Sequence, residues 1–271
     1  MSPLITLREH QAMASARNAG LDCLELSLDL AKSRTTVALT ADTWSHAGIP
    51  YPYLETCKDH TIYHWQDDAF QVVSRFHKGL IKLVPTPWGP PTFHIDGIKM
   101  LPTAHVCPYA DAERKVGLIA PKGKQILDTC GGLGYFADWC VKGGAKHIAS
   151  TEKNPNVIWL RSVNPWSPQA VAPLELRQGD IALDIAAIAS NSFDAALHDP
   201  PRFALAGELY SQVFYDHLAR VLRRKGVLFH YTGSPNKLTS NRDVPNEVAQ
   251  RLKRSGFTVS LVLDGVFAVK G

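Results

Sequence analysis

The sequence predicts an α/β protein: a mostly parallel sheet with helices on both faces, finished by an antiparallel C-terminal hairpin and preceded by a small β-rich domain. Three observations predict it. From about residue 109 onward, strand-like apolar runs alternate with helix-like segments, the pattern of a parallel sheet built from βαβ units. Before that point the strand-like runs follow one another directly, and prolines crowd residues 85–108. The chain ends in "FTVSLVLDGVFAVKG", two short strands around Asp264-Gly265, which is a hairpin signal. The expected domains are therefore residues 1–108, β-rich, and residues 109–271, α/β.

Each element has its own justification. Residues 5–19 read as a short helix stopped by Gly20. Leu24, Leu26, Leu28 and Leu30 alternate with Glu25, Ser27 and Asp29, so one face of a strand is buried. Further strands are expected at Thr35–Thr40, Ala69–Phe76 and Leu80–Val84, and "TFHIDGIKM" carries an Asp96-Gly97 hairpin signal. "DAERKVGLIAPKGK" reads as a helix and a turn. Strands then follow at Gln125–Thr129, His147–Thr151, Leu174–Gln178, Phe193–His198 and Val227–Tyr231. Helices are expected at Tyr135–Lys142, Asn156–Arg161, Tyr210–Arg223 and Pro245–Ser255.

Composition narrows the function classes. The 271 residues are 45% apolar and 20% charged, enough for one or two ordinary cores, and the net charge of +4 permits a nucleic-acid partner without requiring one. Cys23, Cys57, Cys107, Cys130 and Cys140 are odd in number and contain no C-x-x-C pair, which argues against a zinc site or disulfide framework and for a reducing, cytoplasmic setting. The first twenty residues lack the apolar core of a signal peptide, and no run approaches the roughly 18 residues of a membrane span. No metal and no membrane partner are expected.

The chemistry concentrates at strand ends. "ILDTCGGLGYFADW" is an apolar strand, an acid, a glycine turn and a helix start; Gly132 and Gly134 allow a tight turn and close approach of a ligand to backbone. Alone, the same stretch also fits an ordinary strand-to-helix turn. The next strand ends at Glu152, where an acid can accept from ribose hydroxyls. The third ends at Gly179-Asp180 and the fourth at Asp199. Four successive strand ends thus carry Asp128, Glu152, Asp180 and Asp199, and ligands of open α/β sheets sit outside those ends. After Asp199, Pro200 and Pro201 fix the backbone and donate no hydrogen bond. The corner can hold a reactive carboxylate, or simply stop a strand.

These residues resemble the class I S-adenosylmethionine-dependent methyltransferases over about residues 110–271. The resemblance implies a Rossmann-like methyltransferase domain with S-adenosyl-L-methionine as cofactor. Asp128, Gly132 and Gly134 match the first motif, with Cys130 in place of its first glycine. Glu152 matches the ribose-binding acid, and Asp180 the acid for the adenine amino group, with Ile181 against the ring. Thr129, Tyr135 and Lys153 border these positions and are expected in the same site. Asp199-Pro200-Pro201 matches the acid-Pro-Pro motif of the amino-methylating branch, which makes Asp199 and Pro200 the expected catalytic pair. That branch usually has an aromatic residue next; here Arg202 stands there and Phe203 follows, so Pro201, Arg202, Phe203 and Tyr210 are the expected substrate contacts.

More narrowly, "LDTCGGLGY", "NPWS" and "HDPPRFALAGELYSQVFY" resemble a predicted archaeal-type methyltransferase group, some of whose members resemble RNA cytidine N4-methylating enzymes. RNA is then the expected partner, ribosomal RNA first. Rival readings are a small-molecule methyltransferase, an aminopropyltransferase of the spermidine synthase type, which "ELYSQVFYDHL" echoes, and an RNA-binding module with a vestigial cofactor site. The four acids argue against the last.

Other residues have two readings each. Arg223, Arg224 and Lys225 complement a helix dipole or contact phosphate. Glu208 and Tyr210 start a helix or face substrate. His198 and His230 read as buried core histidines before catalytic ones. Trp166 packs or covers a ligand. Trp65, Phe70, Arg75, His77 and Lys78 would suit RNA or any β domain.

Overall fold

The computed structural model describes residues 2–76, 79–233 and 243–271; His77 and Lys78 lie outside the described residues. The chain forms two compact units, Met1–Tyr109 with Trp159–Trp166, and Ala110–Ile158 with Ser167–Gly271.

The first unit is β-rich, with three small antiparallel sheets. Its helix, Leu7–Asn18, starts where the Glu9 carboxylate accepts the Thr6 N–H at 3.1 Å, half of a capping box. Trp44, Tyr51, Val37, Leu39 and Met13 fill the core, with the Trp44 and Tyr51 rings stacked 4.6 Å apart. Asp96 and Gly97 adopt φ of 48° and 79° between paired Ile95 and Ile98, the two left-handed residues that a tight hairpin demands. The expected strand Ala69–Phe76 is in fact two, Ala69–Val72 and Ser74–Phe76, in different sheets. Buried Val73 makes the break, donating to the Ile62 carbonyl at 2.9 Å. The hairpin Thr43–His46 and Ile49–Pro52 was not expected, because Pro50 and Pro52 argue against a strand. It survives because Ile49–Pro52 is an edge strand and prolines two apart lose N–H groups on the same side.

The second unit carries a seven-stranded sheet. Its strands are β1 (Gln125–Asp128), β2 (His147–Glu152), β3 (Leu174–Gln178), β4 (Phe193–His198), β5 (Leu222–Tyr231), β6 (Phe257–Val262) and β7 (Gly265–Lys270). Its order is β3-β2-β1-β4-β5-β7-β6, parallel through β5, with β7 antiparallel to both neighbours. This is a Rossmann-like α/β topology. The order reverses between β1 and β4, and ligands of such sheets bind at that switch point, outside the carboxyl ends.

Both faces of the sheet are covered, so neighbouring strand residues are apolar in both phases. Leu127, Ala196 and Leu228 face one core with helices α4 (Gln212–Val221) and α5 (Val244–Arg254). Ile126, Ala195, Leu197 and Phe229 face the other with α1 (Pro108–Ile119) and α2 (Tyr135–Lys142). A fully buried leucine such as Leu218 contributes about 1.5–3 kcal/mol.

Two boundaries differ from expectation. α4 ends at Val221, not Arg223, and Arg223 lies in β5, where it pairs with Asp194 at 2.5 Å instead of complementing a helix end. The C-terminal hairpin turns on Leu263 and Asp264, and Gly265 already pairs with Val262. Gly265 is required for another reason: a Cβ there would lie 2.3 Å from the His230 carbonyl oxygen of β5. Gly265→Ala is expected to destabilise the protein by about 1–3 kcal/mol, the cost of overpacking. The exposed helical Gly117, whose added Cβ would meet nothing within 4 Å, is the control. Gly117→Ala should leave the urea midpoint unchanged or raise it.

Candidate active site

The four predicted acids stand at the carboxyl ends of four adjacent strands. Asp128 and Glu152 end β1 and β2, Asp180 follows β3 by two residues, and Asp199 follows β4 directly.

The turn after β1 is held from several sides. Gly132 and Gly134 have φ of 48° and 83°, whereas Cys130 is not among the residues with positive φ, so a cysteine is compatible at its position. The Gly131 N–H donates to the Thr151 carbonyl at 2.8 Å, and the Gly132 N–H donates to Glu152 Oε2 at 2.9 Å. Glu152 Oε1 accepts the Asn154 N–H at 2.8 Å. Glu152 thus fixes the glycine turn at the end of the second strand, the place where an acid can accept from ribose hydroxyls. Buried Asp128 accepts from Ser150 Oγ at 2.7 Å.

Asp180 accepts the Ala182 N–H at 3.1 Å and pairs with Lys153 Nζ at 2.7 Å. Ile181 is buried in the core beside it. Two further expected cofactor residues act inside the scaffold. Thr129 Oγ1 lies 2.6 Å from His198 Nδ1, and Tyr135 is buried at the start of α2. Burial pushes the Cys130 thiol well above its ordinary range, which favours the protonated thiol over the thiolate.

The Asp199-Pro200-Pro201 corner is rigid and open to hydrogen bonding. Among the described residues, the partly buried Asp199 carboxylate and the Pro200 carbonyl make no hydrogen bond. Burial pushes Asp199 up to about 7; Lys115 opposes that rise, while Asp111 and Asp128 add to it. The Pro201 carbonyl is already taken by the Tyr210 hydroxyl at 3.1 Å. That corrects the expected substrate role of Tyr210: it is a buried strut under the corner. Phe203 is likewise packed, edge-on to Tyr210 at 5.4 Å and against the core. Of the expected substrate contacts, exposed Pro201 and half-buried Arg202 face outward enough for the part, and the Arg202 side chain forms no ion pair among the described residues.

The two histidines are structural. His198 Nε2 sits 3.0 Å from the Leu209 carbonyl and so carries the proton, leaving Nδ1 to accept from Thr129. Burial pulls His198 down to about 4. His230 is neutral too, with Nδ1 donating to the Tyr231 carbonyl at 2.9 Å and Nε2 accepting from Tyr215 Oη at 3.0 Å. Trp166 packs within the first unit, its Nε1 donating to the Leu30 carbonyl at 3.0 Å.

Sequence reasoning missed one feature. On α1, Lys115 is 1% exposed, its Nζ lies 2.5 Å from Asp111 Oδ2, and it sits 3.6 Å above the Tyr231 ring. The available signal was its position: Lys115 falls three residues after Ala112 and four before Ile119, on the buried stripe of the helix.

The chain belongs to the family of the uncharacterized protein MJ1233 of Methanocaldococcus jannaschii, with 41% identity over 214 residues that cover 77% of this chain and 73% of that one. No protein-family model matches the chain. Among solved structures, a spermidine synthase in complex with the transition-state analogue AdoDATO shares the fold with a TM-score of 0.62 and 18% identity over 73% of each chain. The spermidine synthase of Thermotoga maritima does so with a TM-score of 0.58 and 18% identity, over 73% of this chain and 72% of that one.

Proposed function

We propose that the chain is an S-adenosylmethionine-dependent methyltransferase acting on an amino nitrogen, the exocyclic amine of an RNA base of the cytidine N4 type. The observation that carries this reading is the pair of acceptors at the Asp199-Pro200 corner, both without a hydrogen bond among the described residues. The donor set beneath it fits the cofactor: Glu152 would hold the ribose hydroxyls, and Asp180 with Ile181 would hold the adenine. The bound cofactor supplies an electrophilic methyl on a sulfonium.

The chain's own residues prepare the nucleophile. An aromatic amine is a weak nucleophile because its lone pair is delocalised into the ring. The Asp199 carboxylate accepts one N–H and the Pro200 carbonyl the other, which favours a tetrahedral nitrogen and aims its lone pair at the methyl. The nitrogen lone pair would form the new C–N bond to the methyl that a bound cofactor would supply, the electrons of the broken S–C bond staying on sulfur. The nitrogen is then cationic and loses a proton, for which Asp199 is the adjacent base; being shifted to about 7, it is suited to proton transfer at neutral pH.

RNA as the substrate is supported by the first unit's surface. Phe76 is 80% exposed, and neighbouring Arg75 places its guanidinium 4.0 Å from the Trp159 ring centroid. Aromatic and guanidinium planes of this kind stack on unpaired bases. The test is to incubate the protein and labelled cofactor with RNA from a strain lacking it, and to analyse the nucleosides by mass spectrometry. A cytidine one methyl heavier is expected; label on no nucleoside would overturn the RNA reading.

Aminopropyl transfer is the second reading, favoured by the shared fold with two spermidine synthases. Tighter binding of decarboxylated S-adenosylmethionine than of S-adenosylmethionine, with transfer to a diamine, would establish it instead.

A further inference from the structure

We propose that the first unit carries a docking face for single-stranded RNA, on which Lys58, Lys82 and Lys99 hold phosphates and Phe76 stacks on a base. The choice of RNA rests on the methyltransferase reading; the charged face does not.

The face follows from strand register. Ser74–Phe76, Leu80–Val84, Thr92–Ile95 and Ile98–Lys99 form one antiparallel sheet in that spatial order. Ser74 is opposite Lys82, Lys82 opposite His94, and His94 opposite Lys99. Residues directly opposite share a face, so these make a row across the whole sheet. Lys82 and Lys99 flank His94, two strand spacings or about 10 Å apart. Phe76 and Leu80 are paired with each other, two residues along from Ser74 and Lys82, and so belong to the same face. The reverse face is packed, with Ile81, Leu83 and Phe93 buried. Toward Val84 and Thr92 the lysine face is covered as well; toward Leu80 and Phe76, 44% and 80% exposed, it is open. The Lys82 Nζ donates to Thr61 Oγ1 at 2.8 Å, which brings the segment that carries exposed Lys58 against the row.

The charge here is unbalanced. Among the described residues, Lys58, Lys82 and Lys99 form no ion pair. Two acids border the face and both are engaged: Asp59 Oδ2 lies 3.3 Å from His60 Nε2, and Asp96 accepts the Leu80 N–H at 2.7 Å. Burial and the Lys58 charge pull the Lys82 ammonium below its ordinary range. Burial, Lys99, Lys82 and His60 do the same to His94, so the lysines supply the charge at neutral pH. A polyanion can satisfy several such lysines at once and gains by releasing its counterions. A free phosphate has no use for an exposed ring beside them, whereas an unpaired base has a face to stack on it.

The experiment measures binding of a labelled single-stranded RNA oligonucleotide to the full-length protein by fluorescence anisotropy, without cofactor, over a series of salt concentrations. Log affinity should fall with log salt by about 0.7 for each lysine on a phosphate. A Lys58→Gln, Lys99→Gln double variant should therefore flatten the slope by about 1.4 and weaken binding about tenfold or more at about 0.1 M salt. Both residues are exposed, so the fold is not at stake. Phe76→Ala should weaken binding about tenfold and leave the slope unchanged, the scale of one stacked base. Lys253→Gln removes an exposed lysine of α5 and should change neither quantity. An unchanged slope and affinity in the double variant overturns the proposal. So does an equal loss per charge in Lys253→Gln. Phosphatidylserine vesicles bound more tightly than RNA, and released by the double substitution, would give the face to a membrane and overturn it too. Nucleoside analysis with the same proteins keeps the two ideas apart. RNA held through these lysines but never methylated upholds the face and sinks the reaction; methylated cytidine with unaltered binding in the variants does the reverse.

Discussion

Asp199→Asn is expected to reduce single-turnover methyl transfer by about 10²–10³-fold, the scale for one electrostatic partner in a dry site, while leaving cofactor affinity unchanged. Asparagine keeps the shape and one acceptor oxygen but loses the charge. The lost interaction strengthens as the nitrogen becomes tetrahedral and cationic, so its removal falls on turnover more than on substrate binding. Cofactor binding should be spared because Glu152, Asp180 and the glycine turn use none of the Asp199 oxygens. The pH profile gives a second readout. Asp199 is raised from 3.8 to about 7, and the working form is the carboxylate. The wild-type rate should therefore climb through pH 7 and level off above it, and this limb should be absent in Asp199→Asn. A wild-type rate in the variant would reduce the corner to a strand cap.

Much of this arrangement could be read in the sequence because it obeys short-range rules. An apolar run that ends in an acid places that acid at a strand end, and the four runs of the second unit did so in succession. The rigid Asp-Pro-Pro corner is likewise local. Tyr210 was misread because its partner, the Pro201 carbonyl, lies nine residues back and is reached only when the chain folds over the corner. "LARVLRRKG" was misread because its charges continue a helical pattern, whereas pairing of Leu222 with Phe193 draws the chain into the sheet. Gly265 looked like a turn residue, and its need comes from the neighbouring strand.

Lys115 is the most instructive omission. Charged residues on a helix are ordinarily solvated, so the place of Lys115 on the apolar stripe of "DAERKVGLIA" is its one local sign of burial. What covers it is the meeting of α1 with the end of β5, which supplies the Tyr231 ring. Its ring partner comes from another element, which the stripe of α1 does not reveal.

The second large effect is expected at Glu152. Two functions converge on its carboxylate: it would receive the ribose hydroxyls, and it holds the Gly132 and Asn154 N–H groups at 2.9 and 2.8 Å. Loss of hydrogen bonds to a charged group costs about 1.5–3 kcal/mol, or roughly 10–150-fold in affinity at about 1.4 kcal/mol per decade. In Glu152→Ala the turn itself also loses its anchor, so the decline in cofactor affinity should reach the upper end of that range. Glu152→Gln separates the two functions. Its amide oxygen can still accept one backbone N–H, but its NH₂ faces a second donor, so the turn is half supported and the ribose acceptor is neutral. The expected order of affinity is wild type, then Glu152→Gln, then Glu152→Ala, measured by calorimetry with S-adenosylmethionine on proteins whose unfolding remains cooperative. Equal affinities across the three would remove Glu152 from the cofactor site. A Glu152→Gln protein as weak as Glu152→Ala would instead assign the whole effect to the charge, leaving the glycine turn to hold itself through the Gly131 bond to Thr151.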